Sequence, residues 1–218
     1  MAKILEGKPI SLEIRSEISA KVENYRSKYK TVPGLAAILV GDNPASQIYV
    51  RNKQKACSEA GMFSETFKLD KDTSEGALID LIIQLNGDSK FHGILVQLPL
   101  PKQISVNKTI EALDPSKDID CLHPFNVGKL AQGDPVFLPV TPAGIQQILI
   151  RNGYSPSGKH MVICGRSNIV GKPLSIMMMQ KNPNANSTVT ICHNSTLKME
   201  EITKTADILV AATGMPNS

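Results

Sequence analysis

Leu35-Ala36-Ala37-Ile38-Leu39-Val40-Gly41-Asp42-Asn43-Pro44-Ala45-Ser46-Gln47-Ile48-Tyr49-Val50-Arg51-Asn52-Lys53 carries the reading on which the fold turns. Leu35 to Val40 is a short apolar run bounded by glycines, the pattern of a strand buried on both faces. Asn43 is a good helix N-cap, Pro44 suits the first helical position, and Gly61 is a C′ stop. A buried strand running straight into a helix is the first half of a βαβ unit. Tyr49 and Lys53 are four apart and meet on one helical face, which continues through Ala56, Cys57 and Ala60. A lysine in such a stripe either snorkels to water or is held in a cleft, where desolvation favours the neutral amine and makes it available as a base.

On the N-terminal side, Ile10, Ile14, Ile18 and Val22 recur every four residues, giving an amphipathic first helix that Pro33-Gly34 ends. Downstream, Met62 to Leu69 alternates as a second strand. Asp72-Thr73-Ser74-Glu75 is a capping signature for a helix through Leu78, Ile79, Ile82 and Leu85, ending near Asn86-Gly87. Gly93 to Val96 is a third buried strand. The order strand, helix, strand, helix, strand implies parallel pairing with right-handed crossovers. Ligands in such sheets lie beyond the carboxyl ends of the strands. Gln97 ends the third strand there and leads into the stiff Leu98-Pro99-Leu100-Pro101 loop, near the rim where Tyr49 and Lys53 lie. Asp114-Pro115 closes a short helix. Lys117-Asp118-Ile119-Asp120 is a loop whose two carboxylates are either solvated, cap a turn, or serve a ligand.

Gly128 to Pro139, punctuated by glycine and proline, reads as the connection between two domains, 1–138 and 139–218. Thr141-Pro142 repeats the cap-plus-proline helix start, and Gly153 closes that helix. From His160 the pattern is β-α-β-α-β: strands His160 to Cys164, Thr188 to Cys192 and Asp207 to Ala212, helices from Lys172 to Lys181 and from Leu197 to Lys204. This is half of a doubly wound nucleotide-binding domain. The turn Gly165-Arg166-Ser167-Asn168-Ile169-Val170-Gly171-Lys172-Pro173 lacks the generic G-x-G-x-x-G spacing. It still offers a tight turn at Gly165, close backbone approach at Gly171, and a helix start at Pro173. The second strand ends in Cys192-His193-Asn194-Ser195-Thr196, with no acid to hold a ribose 2′-hydroxyl. With Arg166 in the turn, that absence favours the 2′-phosphate of NADP. His193 is equally a structural histidine at a strand end.

The 218 residues are 41% hydrophobic and 20% charged, an ordinary globular composition with enough apolar mass for a core. No run is long enough to span a membrane, and the N-terminus lacks a secretory pattern. Cys57, Cys121, Cys164 and Cys192 are widely spaced without C-x-x-C, which argues against zinc and a disulfide framework and for free thiols in a reducing cytoplasm. The net charge of +4 is mild and scattered, and 4% aromatic content leaves little for stacking on bases, so nucleic acid is not the expected partner.

Several stretches together resemble one family. Tyr49-Val50-Arg51-Asn52-Lys53, Gly93-Ile94-Leu95-Val96-Gln97-Leu98-Pro99-Leu100-Pro101, Lys117-Asp118-Ile119-Asp120 and the Gly165 to Pro173 turn occur in its order and spacing, as do Thr188 to His193 and Ala206 to Gly214. The family is the bifunctional methylenetetrahydrofolate dehydrogenase/methenyltetrahydrofolate cyclohydrolase, and the resemblance covers essentially the whole chain. It implies an α/β protein: an N-terminal α/β catalytic domain and a Rossmann-type NADP-binding domain with a deep cleft between them. It also implies a homodimer formed through the nucleotide domains, and tetrahydrofolate substrates, polyglutamylated forms included. By resemblance Lys53 is the catalytic lysine, Tyr49 the tyrosine beside the pterin, and Gln97 the lysine's partner. Asp120 anchors the pterin's amino-pyrimidinone edge beside Leu98 and Pro99. Gly165, Arg166 and Ser167, with His193, Asn194, Thr213 and Gly214, take the dinucleotide. No metal is implied.

Three departures stand out. Cys121 follows Asp120 where the family usually has glycine, reducing backbone freedom. Asn194 stands where a serine often contacts the 2′-phosphate. The chain stops at Ser218, whereas the family continues with further nucleotide-domain strands, a glycine-rich segment and a final helix; a piece ending there exposes a strand edge. That motivates an alternative, a non-catalytic dimerising or nucleotide-binding fragment. A shikimate-type two-domain dehydrogenase is a third reading, though its Lys–Asp pair is spaced differently.

Overall fold

The computed structural model describes residues 4–214. The chain divides into two compact units, Ser11–Ile119 and Met1–Ile10 with Asp120–Ser218.

In the Ser11–Ile119 unit, β1 (Gly34–Val40) is the centre of a three-stranded parallel sheet, flanked by β2 (Phe63–Leu69) and β3 (Gly93–Val96). All seven residues of β1 and all four of β3 are buried, whereas β2 alternates as an edge strand does. Helices α1 (Gly7–Tyr29), α2 (Pro44–Glu59), α3 (Glu75–Gly87) and α4 (Val106–Glu111) complete this part of the chain. Asn43 caps α2 as its sequence position predicts, its side-chain oxygen accepting from the Ser46 N–H at 3.1 Å. At the other end Met62 N–H donates to the Cys57 carbonyl and Gly61 N–H to that of Ser58, with Gly61 at φ 76, which closes the helix in a Schellman turn.

Ser74 caps α3 by accepting from Ala77 N–H, but Glu75 does not fold back on that cap. Its carboxylate accepts from Ser105 N–H at 2.8 Å and from Lys108 Nζ at 2.7 Å, tying the start of α3 to the start of α4. This holds the Glu75 carboxyl below its usual range, chiefly through the Lys108 bond and then the Ser105 amide.

The segment after α4 is no free loop. Ile94 N–H donates to the Lys117 carbonyl at 2.8 Å, and Asp118 forms a parallel bridge with Ile94. Asp118 is 1% exposed, so the solvated reading fails for it. Gly93 is required here: a Cβ on it would collide with the Ile119 side chain. Lys117 Nζ donates to the carbonyls of Leu85 and Asp88, anchoring the same segment to the end of α3.

In the other unit, β4 (His160–Cys164) lies between β5 (Thr188–Cys192) and β6 (Ile208–Ala211), all parallel. Helices α5 (Pro124–Gln132), α6 (Val140–Arg151), α7 (Gly171–Met178) and α8 (Met199–Thr203) accompany them. Cys121, Leu130, Met161, Ile163, Leu174, Met177 and Met178 form the buried core. Two expectations need correction. The Gly128 to Pro139 connection is helical as far as Gln132, because His123 caps α5, Pro124 starts it, Leu130 buries itself against α7 and β4, and Gly133 at φ 82 ends it. Thr141 is not a cap: α6 begins one residue earlier, with the Pro139 carbonyl accepting from Ala143 N–H and no side-chain cap. Cys121 adopts φ 58 while 2% exposed, so the chain holds a left-handed conformation here without glycine.

Candidate functional site

Two of the three predicted catalytic residues, Lys53 and Gln97, meet at the carboxyl end of the sheet in the Ser11–Ile119 unit. Gln97 continues β3, its N–H donating to the Ile38 carbonyl of β1 at 2.9 Å. Its side-chain Nε2 donates to the Leu98 carbonyl at 2.8 Å, and its Oε1 accepts from Lys53 Nζ at 3.5 Å. A lysine can only donate and a carbonyl can only accept, so these two partners fix which way the amide faces. Lys53 is half-buried, so its head rests on Gln97 rather than reaching fully into water. Tyr49, one turn earlier on α2, is 60% exposed. Leu98 is half-buried and Pro99 exposed beyond a cis Leu98–Pro99 peptide. Burial pushes the neighbouring Cys57 thiol up, consistent with an apolar stripe along this face of α2. Asp120, half-buried, directly follows the segment pinned beside β3.

In the other unit, three turns follow the carboxyl ends of the adjacent strands β4, β5 and β6. Gly165 adopts φ 134, where a Cβ would collide with the Ala212 carbonyl. A Cβ on Gly171 would collide in turn with the carbonyl of Gly165, so both glycines permit a turn folded tightly on itself. Ser167 Oγ accepts from Val170 N–H at 3.1 Å, and Lys172 Nζ donates to Asn168 Oδ1 at 2.8 Å. Arg166 and Ser167 are left exposed. In the β5 turn, His193 Nδ1 accepts from Ser195 N–H at 3.2 Å, while Thr196 Oγ1 accepts from His193 N–H at 2.8 Å. A neutral imidazole whose Nδ1 accepts must carry its proton on Nε2, so His193 offers one donor. Asn194 is exposed beside it, and Thr213 and Gly214 are exposed after β6. No acid stands in the β5 turn, and Asp207 is spent at the opposite end of the sheet on His160 N–H.

These residues fit a dinucleotide: two glycines forbidding any Cβ, an exposed arginine and serine, and a fixed imidazole donor at one sheet rim. Sequence reading did not reveal the roles of Ser195, Thr196 and Asn168 in holding these turns; short polar residues leave that to geometry. Among the described residues, no cluster of three His, Cys, Asp or Glu could hold a metal, and no helix is long and apolar enough to cross a membrane.

Comparison with known proteins points the same way. Residues 5–120 match the tetrahydrofolate dehydrogenase/cyclohydrolase catalytic domain, and residues 139–218 its NAD(P)-binding domain. The chain is 51% identical over 214 residues to the bifunctional protein FolD of Syntrophobacter fumaroxidans, covering 98% of this chain and 72% of that protein. The structure of a bifunctional methylenetetrahydrofolate dehydrogenase/cyclohydrolase from Campylobacter jejuni is similar at 42% identity and TM-score 0.93, over 99% of this chain and 75% of the other. A Trypanosoma brucei counterpart, solved with an NADP cofactor and inhibitor, is similar at 33% identity and TM-score 0.92, over 99% and 73%.

Proposed function

The chain belongs to the tetrahydrofolate dehydrogenase/cyclohydrolase family, and from that premise we propose how its own residues carry the family's two reactions. It oxidises 5,10-methylenetetrahydrofolate to the methenyl form with NADP, then hydrolyses the methenyl form to 10-formyltetrahydrofolate. Membership favours this over a shikimate-type dehydrogenase and over a non-catalytic fragment.

The observation that carries our assignment is the half-buried Lys53 amine resting on Gln97 Oε1 at the sheet rim. NADP+, when bound, supplies the hydride acceptor. Oxidation leaves an amidinium cation stabilised by its flanking nitrogens, so this step needs orientation more than a base. Tyr49 lies against the pterin and Asp120 accepts a pair of N–H bonds from its amino-pyrimidinone edge, with Leu98 and Pro99 lining the approach. Hydrolysis does need a base. Water attacks the methenyl carbon while Lys53 takes its proton, and the resulting ammonium returns it to the departing ring nitrogen. The cation beside Lys53 disfavours a second positive charge, and Gln97 holds the amine in line without adding charge of its own. Gly165, Arg166 and Ser167 take the phosphates, Arg166 pairs with the 2′-phosphate, and His193, Asn194, Thr213 and Gly214 border the same dinucleotide.

We further assign residues 1–138 to the folate half and 139–218 to the nucleotide half. The assembly is a homodimer in a reducing cytoplasm, and polyglutamylated folates are substrates. Exposed Val140, Tyr154, Met179 and Leu197, all in the nucleotide half, support a dimer through that half, the free cysteines support the compartment, and a net charge of +4 suits the anionic tail. Light scattering on the purified chain reads the first of these.

Lys53→Met tests the mechanism. Methenyl hydrolysis should fall by about 10²-fold or more with the circular dichroism spectrum intact. Hydrolysis at the parent rate would remove Lys53 from the role of base.

A further inference from the structure

Cys164 and Cys192 are the last residues of β4 and β5 and are register partners across the parallel pair. Their side chains share a face. His160 Nε2 on β4 meets Thr190 Oγ1 on β5 at 3.0 Å, and the period of two along each strand puts Cys164 with His160 and Cys192 with Thr190. Met161 and Ile163 point the other way, into the core that holds Cys121. Neighbouring strands lie about 4.8 Å apart, and a disulfide spans Cα separations of about 4.4–6.8 Å. The Cα spacing suits a disulfide, but the bond also needs the Cβ atoms about 3.8 Å apart, closer than the strands stand. Closing it therefore draws the ends of β4 and β5 together and shifts the carbonyls that hold the turn.

Both residues also hold the candidate dinucleotide turn. The Cys192 carbonyl accepts from Gly165 N–H at 2.8 Å, and the Cys164 carbonyl accepts from Ala212 N–H at 2.7 Å. These two bonds set the start of the Gly165 turn and the approach to Thr213.

We propose that Cys164 and Cys192 form a dithiol modification site that takes a hydroperoxide as two-electron oxidant and closes to a disulfide that loosens the Gly165 turn. The dinucleotide consequence rests on our assignment of that turn. Half-buried Cys164 is the residue the oxidant reaches, whereas Cys192 is fully buried. The Cys164 sulfur attacks the peroxide, the O–O bond breaks, and an alcohol or water leaves with the thiol proton. Cys192 sulfur then attacks the sulfenic sulfur, the S–O bond breaks, and the hydroxyl leaves as water with the second thiol proton. Two thiols and one hydroperoxide give one disulfide, one alcohol (or water) and one water. Burial pushes the Cys192 thiol up, reinforced by repulsion from and a hydrogen bond with Cys164, which suits the second, resolving role rather than first attack.

The full chain treated with hydrogen peroxide tests this. Peptide mapping should find a Cys164–Cys192 disulfide, amide exchange across residues 165–171 should quicken, and NADP affinity should drop at least about tenfold. Dithiothreitol should restore all three. Cys164→Ser and, independently, Cys192→Ser should keep NADP affinity through the same treatment. A disulfide to Cys57 or Cys121, a sulfinic acid on Cys164 without pairing, or unchanged exchange in the turn would overturn the proposal. A reduced chain that binds no NADP, yet still forms the disulfide with quickened exchange, would sink the dinucleotide assignment and leave the dithiol site standing.

Discussion

At Cys121 a side chain other than glycine occupies φ 58 while almost wholly buried among Leu130 and Met161. Left-handed backbone costs an L-residue about 1–2 kcal/mol, and a β-branched side chain more. Cys121→Val should therefore lower stability by about 2 kcal/mol in denaturant titration, although valine suits the burial, since strain outweighs its extra apolar area. A rise in the midpoint would mean packing dominates there. The resemblance to a glycine-bearing family marked this position in the sequence; that the strained conformation survives the replacement was not legible. The same division holds at Lys53. Its spacing from Tyr49 gave the shared helix face, but the choice between snorkelling and retention needed Gln97, forty-four residues away and on another element.

Among elements, junctions were harder to read than strands. Runs such as Leu35 to Val40 and His160 to Cys164 announce themselves, because burial on both faces demands continuous apolar residues. The α5 helix did not, because Gly128 and the flanking prolines look like loop, and its two buried residues are one apolar, Leu130, and one polar, Asn126, too few to show a helical period. The α3–α4 junction is a further case, its Glu75–Lys108 pair spanning thirty-three residues. Glu75 is held below its ordinary value when folded, so its contribution is present above the unfolded carboxyl's value, 4.5, and is lost as pH falls through the lower folded one. Glu75→Gln should accordingly lower the melting temperature at pH 7 and leave it near the parent's at the acid end of that window. Parallel melting curves for the two proteins throughout would deny the junction its electrostatic part.

At the scale of the molecule, two parallel sheets each carry candidate site residues beyond their carboxyl ends, and their strand order is the one the sequence of strands and helices predicts. NADP should accordingly slow amide exchange in the turns at 165–171, 193–196 and 212–214 while strands β1 to β3 exchange unchanged. Protection spread evenly over both sheets would contradict a nucleotide site built on β4 to β6. The two sheets differ in how their rims are stiffened: the nucleotide turns hold themselves by their own short polar side chains, whereas the approach to Asp120 is stiffened by apolar contact. Ile119 fills the volume a methyl group on Gly93 would take, and Asp120 is the next residue along. Gly93→Ala should thus raise the folate KM without altering a single charge or donor, and a normal KM would show the strand absorbs the methyl. A screen that scores only turnover would file such a variant beside the loss of the carboxylate itself, and would mistake a wedge for a missing anchor.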